Sequence, residues 1–245
     1  MFGRAIAFLY GLVSYLIFLA TFLFAIAFVG NIVVPKSVDT GLPVPLTEAL
    51  IIDTLLLSLF AIQHSVMARQ WFKRLWTKIV PKPVERSTYV LLASLVLLLL
   101  FWQWRPMPAV IWDVQNPVGR ILLQAIFWIG WGQVFMSTAL VDHSSLFGLR
   151  QVRRYLKGQP EEAASFKTPG LYKVVRHPLY LGFIIAFWSA PHMTLGHLFF
   201  AAVCTAYILV AIQFEERDLM SYYGYTYRQY RKEVSMILPL RHGRK

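Results

Sequence analysis

Apolar runs of membrane-spanning length recur along this chain and leave few folds open to it. A helix needs about 20 consecutive apolar residues to cross the hydrocarbon core of a bilayer, and runs of this order cover residues 5–29, 48–68, 87–104 and 118–141. Two shorter runs follow. Residues 179–190 are stopped by Pro191, and residues 196–214 begin after an uncharged turn. At about 1.5 Å of rise per residue the first of these falls short of a full span, so 178–216 reads as a helical hairpin with a shortened or tilted first arm. The expected fold is all-α, a polytopic membrane helical bundle with about six membrane helices in one domain over 1–245. Its parts are four N-terminal spans (1–141), a polar segment (142–177), the hairpin (178–216) and a polar tail (217–245).

Charge fixes the expected orientation. The chain is 57% hydrophobic and 15% charged, where a soluble domain carries about a quarter charged residues. The net charge of +12 reads as the basic bias of cytoplasmic loops and does not call for a nucleic-acid partner. Arg69, Lys73, Arg74, Lys78, Lys82 and Arg86 fill the second loop, interleaved with Trp71 and Trp76 at headgroup depth. Residues 142–177 and the tail are basic as well, whereas 35–47 and 105–117 carry little charge. With six spans, both termini are expected on the cytoplasmic side. Ala25-Ile-Ala27 resembles a signal cleavage site, but the apolar run before it exceeds the 7–15 residues of a signal core, so it reads as a retained span. The single cysteine, Cys204, lies in an apolar run and reads as packing. No zinc-type ligand spacing, no Walker-type loop and no soluble dinucleotide fingerprint is present, and no metal is expected.

The chemistry concentrates in Thr168-Pro-Gly-Leu-Tyr-Lys-Val-Val-Arg-His-Pro-Leu-Tyr-Leu-Gly182. Pro178 suits a first helical turn, where its missing N–H costs nothing. A helix start flanked by Arg176 and His177 offers N–H donors and positive charge to an anionic group. Farther on come Glu215-Glu216-Arg-Asp and Gly224-Tyr-Thr-Tyr227-Arg-Gln-Tyr230. One segment supplies cations and donors and the other carboxylates, so a zwitterion carrying an amine and a carboxylate suits the space between them. Glu215 and Glu216 are about 100° apart on a helix, which singles out one of them, and Glu216 is preferred. The plainer reading of the pair is a salt bridge to Arg217, Arg228 or Arg231.

These two motifs, in this order and spacing, resemble those of the membrane methyltransferases typified by isoprenylcysteine carboxyl methyltransferase and phospholipid N-methyltransferase. The resemblance covers about 168–239. Gln63-His64-Ser-Val-Met67-Ala-Arg69 and Glu85-Arg86-Ser87-Thr-Tyr89 resemble a narrower bacterial branch of methanethiol-methylating enzymes and NnrU-type proteins. The resemblance implies that S-adenosyl-L-methionine serves as methyl donor. The implied cofactor-binding residues are Tyr172, Arg176, His177, Pro178, Tyr180, Gly182, Glu215, Glu216, Tyr227 and Tyr230. His177 and the helix start would take the donor's carboxylate, a glutamate its ammonium or ribose, and Gly182 would let backbone approach the ligand. The implied acceptor is a small thiol, methanethiol, yielding dimethyl sulfide.

Methyl transfer to sulfur requires a thiolate, and thiols titrate above neutrality (about 8.5 for cysteine), so a base or an electropositive pocket helps. The candidate groups on the acceptor side are Asp142 and His143 at the end of the fourth span, His64 at the end of the second, and Arg86 and Tyr89 opening the third. All are expected at one membrane depth with Arg176 and His177. Other readings stay open: a different acceptor such as a prenylcysteine carboxylate or a phospholipid amine, a nicotinamide-dependent reductase of the sterol-reductase type, or a non-catalytic NnrU-like protein of nitrogen-oxide metabolism.

Overall fold

The computed structural model describes residues 2–160 and 166–239. In chain order it contains α1 (Phe2–Gly30), α2 (Leu46–Ala68), α3 (Gln70–Trp76), α4 (Lys82–Gln103), β1 (Val110–Asp113), α5 (Pro117–Val141), α6 (His143–Leu146), α7 (Leu149–Leu156), a 3-10 turn (Gly170–Lys173), α8 (Pro178–Trp188), β2 (His192–Thr194), α9 (Leu195–Tyr223) and α10 (Tyr225–Glu233). Five helices, α1, α2, α4, α5 and α9, are long and apolar enough to cross a membrane, and α8 is a shorter apolar helix. The chain is therefore an all-α polytopic membrane protein, with five helices of spanning length among the described residues and α8 too short to be counted with them.

Several boundaries differ from the sequence reading. The basic loop 69–86 holds a helix of its own, α3, and α4 begins at Lys82, five residues before the apolar run. Residues 105–117 are not wholly loop, since β1 pairs with β2 antiparallel, Trp112 opposite Met193 and Asp113 opposite His192. The polar segment 142–177 contains α6, α7 and the 3-10 turn. α9 does not leave the membrane span at residue 216 but continues to Tyr223, because Glu-Glu-Arg-Asp-Leu-Met are good helix formers and no Gly or Pro intervenes before Gly224. Residues 161–165 and 240–245, parts of the expected polar segment and tail, lie outside the described residues.

The chain divides into two compact units, Met1–Pro108 with Asp142–Ala163 and Ala109–Val141 with Ala164–Lys245. In the first, Gly11 of α1 lets Val152 of α7 and Ser87 of α4 approach closely, and Tyr10 Oη donates to Thr88 Oγ1 at 3.0 Å. At the opposite end Phe28 packs on Phe101 with centroids 4.8 Å apart, and Trp104 Nε1 donates to Val38 O at 3.0 Å. Asp53, buried inside α2, accepts the Arg105 N–H at 2.9 Å, which ties α2 to the residues beyond α4. Ile6, Leu9, Val13, Leu16 and Leu23 leave a long apolar stripe of α1 exposed, as suits a helix whose solvent is hydrocarbon.

The second unit is built on the crossing of α5 and α8. A Cβ on Gly182 would lie 2.7 Å from Gly130 O, and one on Gly130 would lie 2.8 Å from Gly182 O. The two backbones touch because both residues lack side chains. The missing side chain of Gly182 makes room for α5. Trp188 Nε1 donates to Thr205 Oγ1 at 3.0 Å and His197 Nε2 to Phe187 O at 3.0 Å, joining α8 to α9. Thr194 caps α9 by accepting the His197 N–H at 3.1 Å.

Candidate functional site

The basic motif is placed by backbone pairing with the tail. The Arg176 N–H donates to Ser235 O at 2.8 Å and the His177 N–H to Met236 O at 3.1 Å, and Val175 and Ser235 form a parallel bridge. Pro178 then opens α8 as its first residue, with His177 extended before it and no side chain capping the helix. Gln133 of α5 donates from Nε2 to Pro178 O at 2.8 Å.

This pairing brings Arg176 and His177 to α9. Glu216 is 3% exposed and His177 4%. Arg176 Nε donates to Glu216 Oε1 at 2.7 Å, His177 Nε2 to the same oxygen at 3.1 Å, and Arg231 Nε reaches Oε2 at 3.1 Å. Arg176 also donates from Nη1 to Arg231 O at 3.1 Å and to Val234 O. The two motifs thus meet directly, and the carboxylate preferred from the sequence is the one gathered in. The salt-bridge reading of the glutamates holds too, through Arg231 and Arg176. Glu215 has a half-exposed side chain, with Oε2 buried, 3.9 Å from His177 Nδ1 and without a hydrogen-bond partner.

Gly224, at φ +56°, ends α9 and starts α10 in a backbone conformation that glycine tolerates without strain. Tyr227, Tyr230 and Arg231 then share one face of α10. Tyr230 Oη donates to Tyr172 O at 2.6 Å. Tyr227 is 1% exposed, yet its Oη has no hydrogen-bond partner. Phe166 lies against Tyr223, Tyr227 and Tyr230, at centroid distances of 5.1, 5.8 and 5.4 Å. Tyr180 stacks obliquely on His177 at 5.7 Å. Burial pushes the Tyr227 phenol well up, and the negative charges of Glu216 and Glu215 add to this while Arg176 opposes it. Burial likewise pushes Tyr172 up, helped by Glu215, and pushes Tyr230 up to about 12 against the pull of Arg176. All three stay neutral donors at physiological pH.

The remaining candidates lie in the first unit. His64 Nε2 is 3.0 Å from Tyr89 Oη, and the Arg86 guanidinium sits over the Tyr89 ring at 5.0 Å. Arg86 Nε donates to Leu146 O at 2.7 Å. His64, Tyr89 and Arg86 therefore form one group. The polar atoms of Asp142 and His143 go to different partners. Asp142 caps α6, with Oδ1 accepting from the Ser145 N–H at 3.0 Å and Ser144 Oγ at 2.8 Å, and it pairs with Arg150. Burial would raise its carboxyl, but these hydrogen bonds and Arg150 hold it below the ordinary range. His143 Nε2 lies 3.0 Å from Tyr15 Oη, and burial lowers its imidazole against the charge of Asp142. Tyr15, Gln133 and Phe166 went unnoticed in the sequence, because a single tyrosine, glutamine or phenylalanine in such a chain carries no sign of its partner.

The helices and the buried charge cluster define a class: a multi-pass α-helical membrane protein whose late helices and tail close on a polar site. Residues 68–234 match a family described as protein of unknown function (DUF1295). A methanethiol S-methyltransferase of Mycobacterium tuberculosis is 56% identical over 239 residues, 98% of this chain and 98% of the relative. Methanethiol S-methyltransferase 1 of Bradyrhizobium diazoefficiens is 58% identical over 238 residues, 97% of this chain and 84% of the relative. The Crocosphaera subtropica methanethiol S-methyltransferase is 50% identical over 237 residues, 97% and 93% of the two chains. The chain belongs to this methanethiol S-methyltransferase family. No solved structure matches it.

Proposed function

We propose that this protein methylates methanethiol to dimethyl sulfide at the cytoplasmic face of a bacterial inner membrane, with S-adenosyl-L-methionine as donor. The observation that carries the reading is similarity at 56–58% identity, over nearly the whole chain, to proteins named for that reaction. The second unit fits such a donor on its own terms. Tyr227 Oη and Glu215 Oε2 are buried atoms with no hydrogen-bond partner, set among the cations and carboxylates that a zwitterion needs.

Arg176, His177 and the uncapped start of α8 would hold the donor's carboxylate. Glu215 and Glu216 would hold its ammonium or ribose. Tyr172, Tyr227 and Tyr230, kept neutral, would donate hydrogen bonds, with Tyr180 and Phe166 supplying apolar faces. When bound, the donor supplies an electrophilic methyl on a sulfonium, which leaves as a neutral thioether as the thiolate takes the methyl. Loss of the thiol proton is helped by a base or a positive pocket, and within the first unit His64, hydrogen-bonded to Tyr89 beside the positive charge of Arg86, supplies an imidazole of the kind that step uses. Asp142 and His143 shape the loop through α6. The basic loops support a donor site on the cytoplasmic side, where such a polar donor is available.

The test is a headspace assay for dimethyl sulfide with detergent-purified protein, methanethiol and S-adenosyl-L-methionine. Dimethyl sulfide formation that needs both additions is expected. Methyl transfer to a phospholipid amine or prenylcysteine and none to methanethiol would reassign the acceptor.

A further inference from the structure

A cleft of about 250 Å³ in the first unit shares Arg86, Ser145 and Leu146 with the groups described above. It is lined by Lys73 of α3, Lys82, Glu85 and Arg86 of α4, and Ser145 and Gln151 among others. Three cations face one carboxylate. The cleft includes the first turn of α4, whose start has no side-chain cap, so the positive end of a 22-residue helix adds to the same sign. Gln151 contributes something different. Its Nε2 donates to Ser145 O at 3.1 Å, but its Oε1 is buried with no hydrogen-bond partner. The cleft therefore offers positive charge for an anion and one acceptor for a hydroxyl or amine.

Its position narrows the choice of ligand. α3 is the short connection between two membrane helices, with Trp71 half-exposed and Leu75 and Ile79 exposed, which is how a segment at headgroup depth looks. An anion at that depth is carried by a lipid. We propose that this cleft binds the headgroup of an anionic phospholipid, with Lys73, Lys82 and Arg86 on the phosphate and Gln151 Oε1 accepting a hydrogen bond from a headgroup hydroxyl. Phosphatidylglycerol has both features; phosphatidylcholine lacks the net negative charge and the hydroxyl. The inference is independent of methyl transfer, and its test reads lipid, not product.

The experiment is native mass spectrometry of the full-length protein in mild detergent, titrated with phosphatidylglycerol, phosphatidylcholine or inorganic phosphate. Phosphatidylglycerol should be retained preferentially and should raise the thermal midpoint, and millimolar phosphate should neither reproduce this nor displace the lipid. Lys73→Gln with Lys82→Gln should lower phosphatidylglycerol retention on the order of tenfold or more, given the worth of each cation near an anionic surface. Lys78→Gln with Lys157→Gln, equal in charge lost but outside the cleft, should change it little. Gln151→Leu should reduce the preference for phosphatidylglycerol over phosphatidic acid, which has no headgroup hydroxyl. Equal loss in both lysine pairs, equal retention of the two zwitterionic and anionic lipids, or displacement by phosphate would overturn the assignment.

Discussion

Glu216 holds Arg176 and His177 on one oxygen and Arg231 on the other, so its charge serves folding as well as binding. Buried as it is, its removal costs stability as well as ligand affinity. Glu216→Gln keeps the shape but leaves the buried Arg176 guanidinium uncompensated, and should cost about 3–5 kcal/mol, read as a lower thermal midpoint together with lost S-adenosylhomocysteine binding in calorimetric titration. Glu215→Gln, at the half-exposed neighbour, should change stability by under about 1 kcal/mol while still weakening that binding. Asp142 separates a structural from a chemical role by pH. Its carboxyl is held below the ordinary value in the fold, so its contribution is fully present above about pH 4 and is lost as pH falls through the depressed value. Asn caps a helix as well as Asp, so Asp142→Asn loses only the charge facing Arg150 and should be less stable than wild type from pH 5 to 8 by under about 1 kcal/mol, the two thermal-unfolding curves converging in acid. Arg176, His177 and Glu216 were readable in advance because a charged residue beside an apolar run needs a reason. Gln133 and Tyr15 were not, since their partners are a carbonyl and a ring nitrogen that sequence does not place near them.

Among the helices, α8 was the least secure from sequence and the crossing of α5 over it explains its length. An 11-residue helix buries Gly182 against Gly130 and ends before Pro191, where the residue ahead of a proline disfavours helix. A glycine within an apolar helix serves a ligand or another helix equally well, and nothing local tells the two apart. Gly182→Ala should destabilise by roughly 1–3 kcal/mol through overpacking, visible in thermal unfolding with or without ligand. Gly132→Ala, one residue pair along α5 with open space around it, should be neutral. The far end of α9 was misjudged for a related reason: charge marks where a chain meets the interface, not where a helix stops.

For the molecule as a whole, hydropathy made the number of helices readable and charge made their orientation an expectation, while the two-unit division and the β1–β2 pairing had no sequence signal. Orientation is checked within the first unit by cysteine labelling in spheroplasts. With the single Cys204 replaced by Ala, Leu42→Cys should react with an impermeant maleimide from outside, and Lys78→Cys and Lys157→Cys only after lysis; the opposite pattern would invert the topology. The tail pairing has a last consequence. Arg176 and His177 are held by carbonyls of Ser235 and Met236, which the ribosome adds after every helix is made. A chain stalled or clipped before residue 235 can insert its described helices in the bilayer and still lack the backbone partners that hold Arg176 and His177, so the last stretch of translation completes the charge cluster.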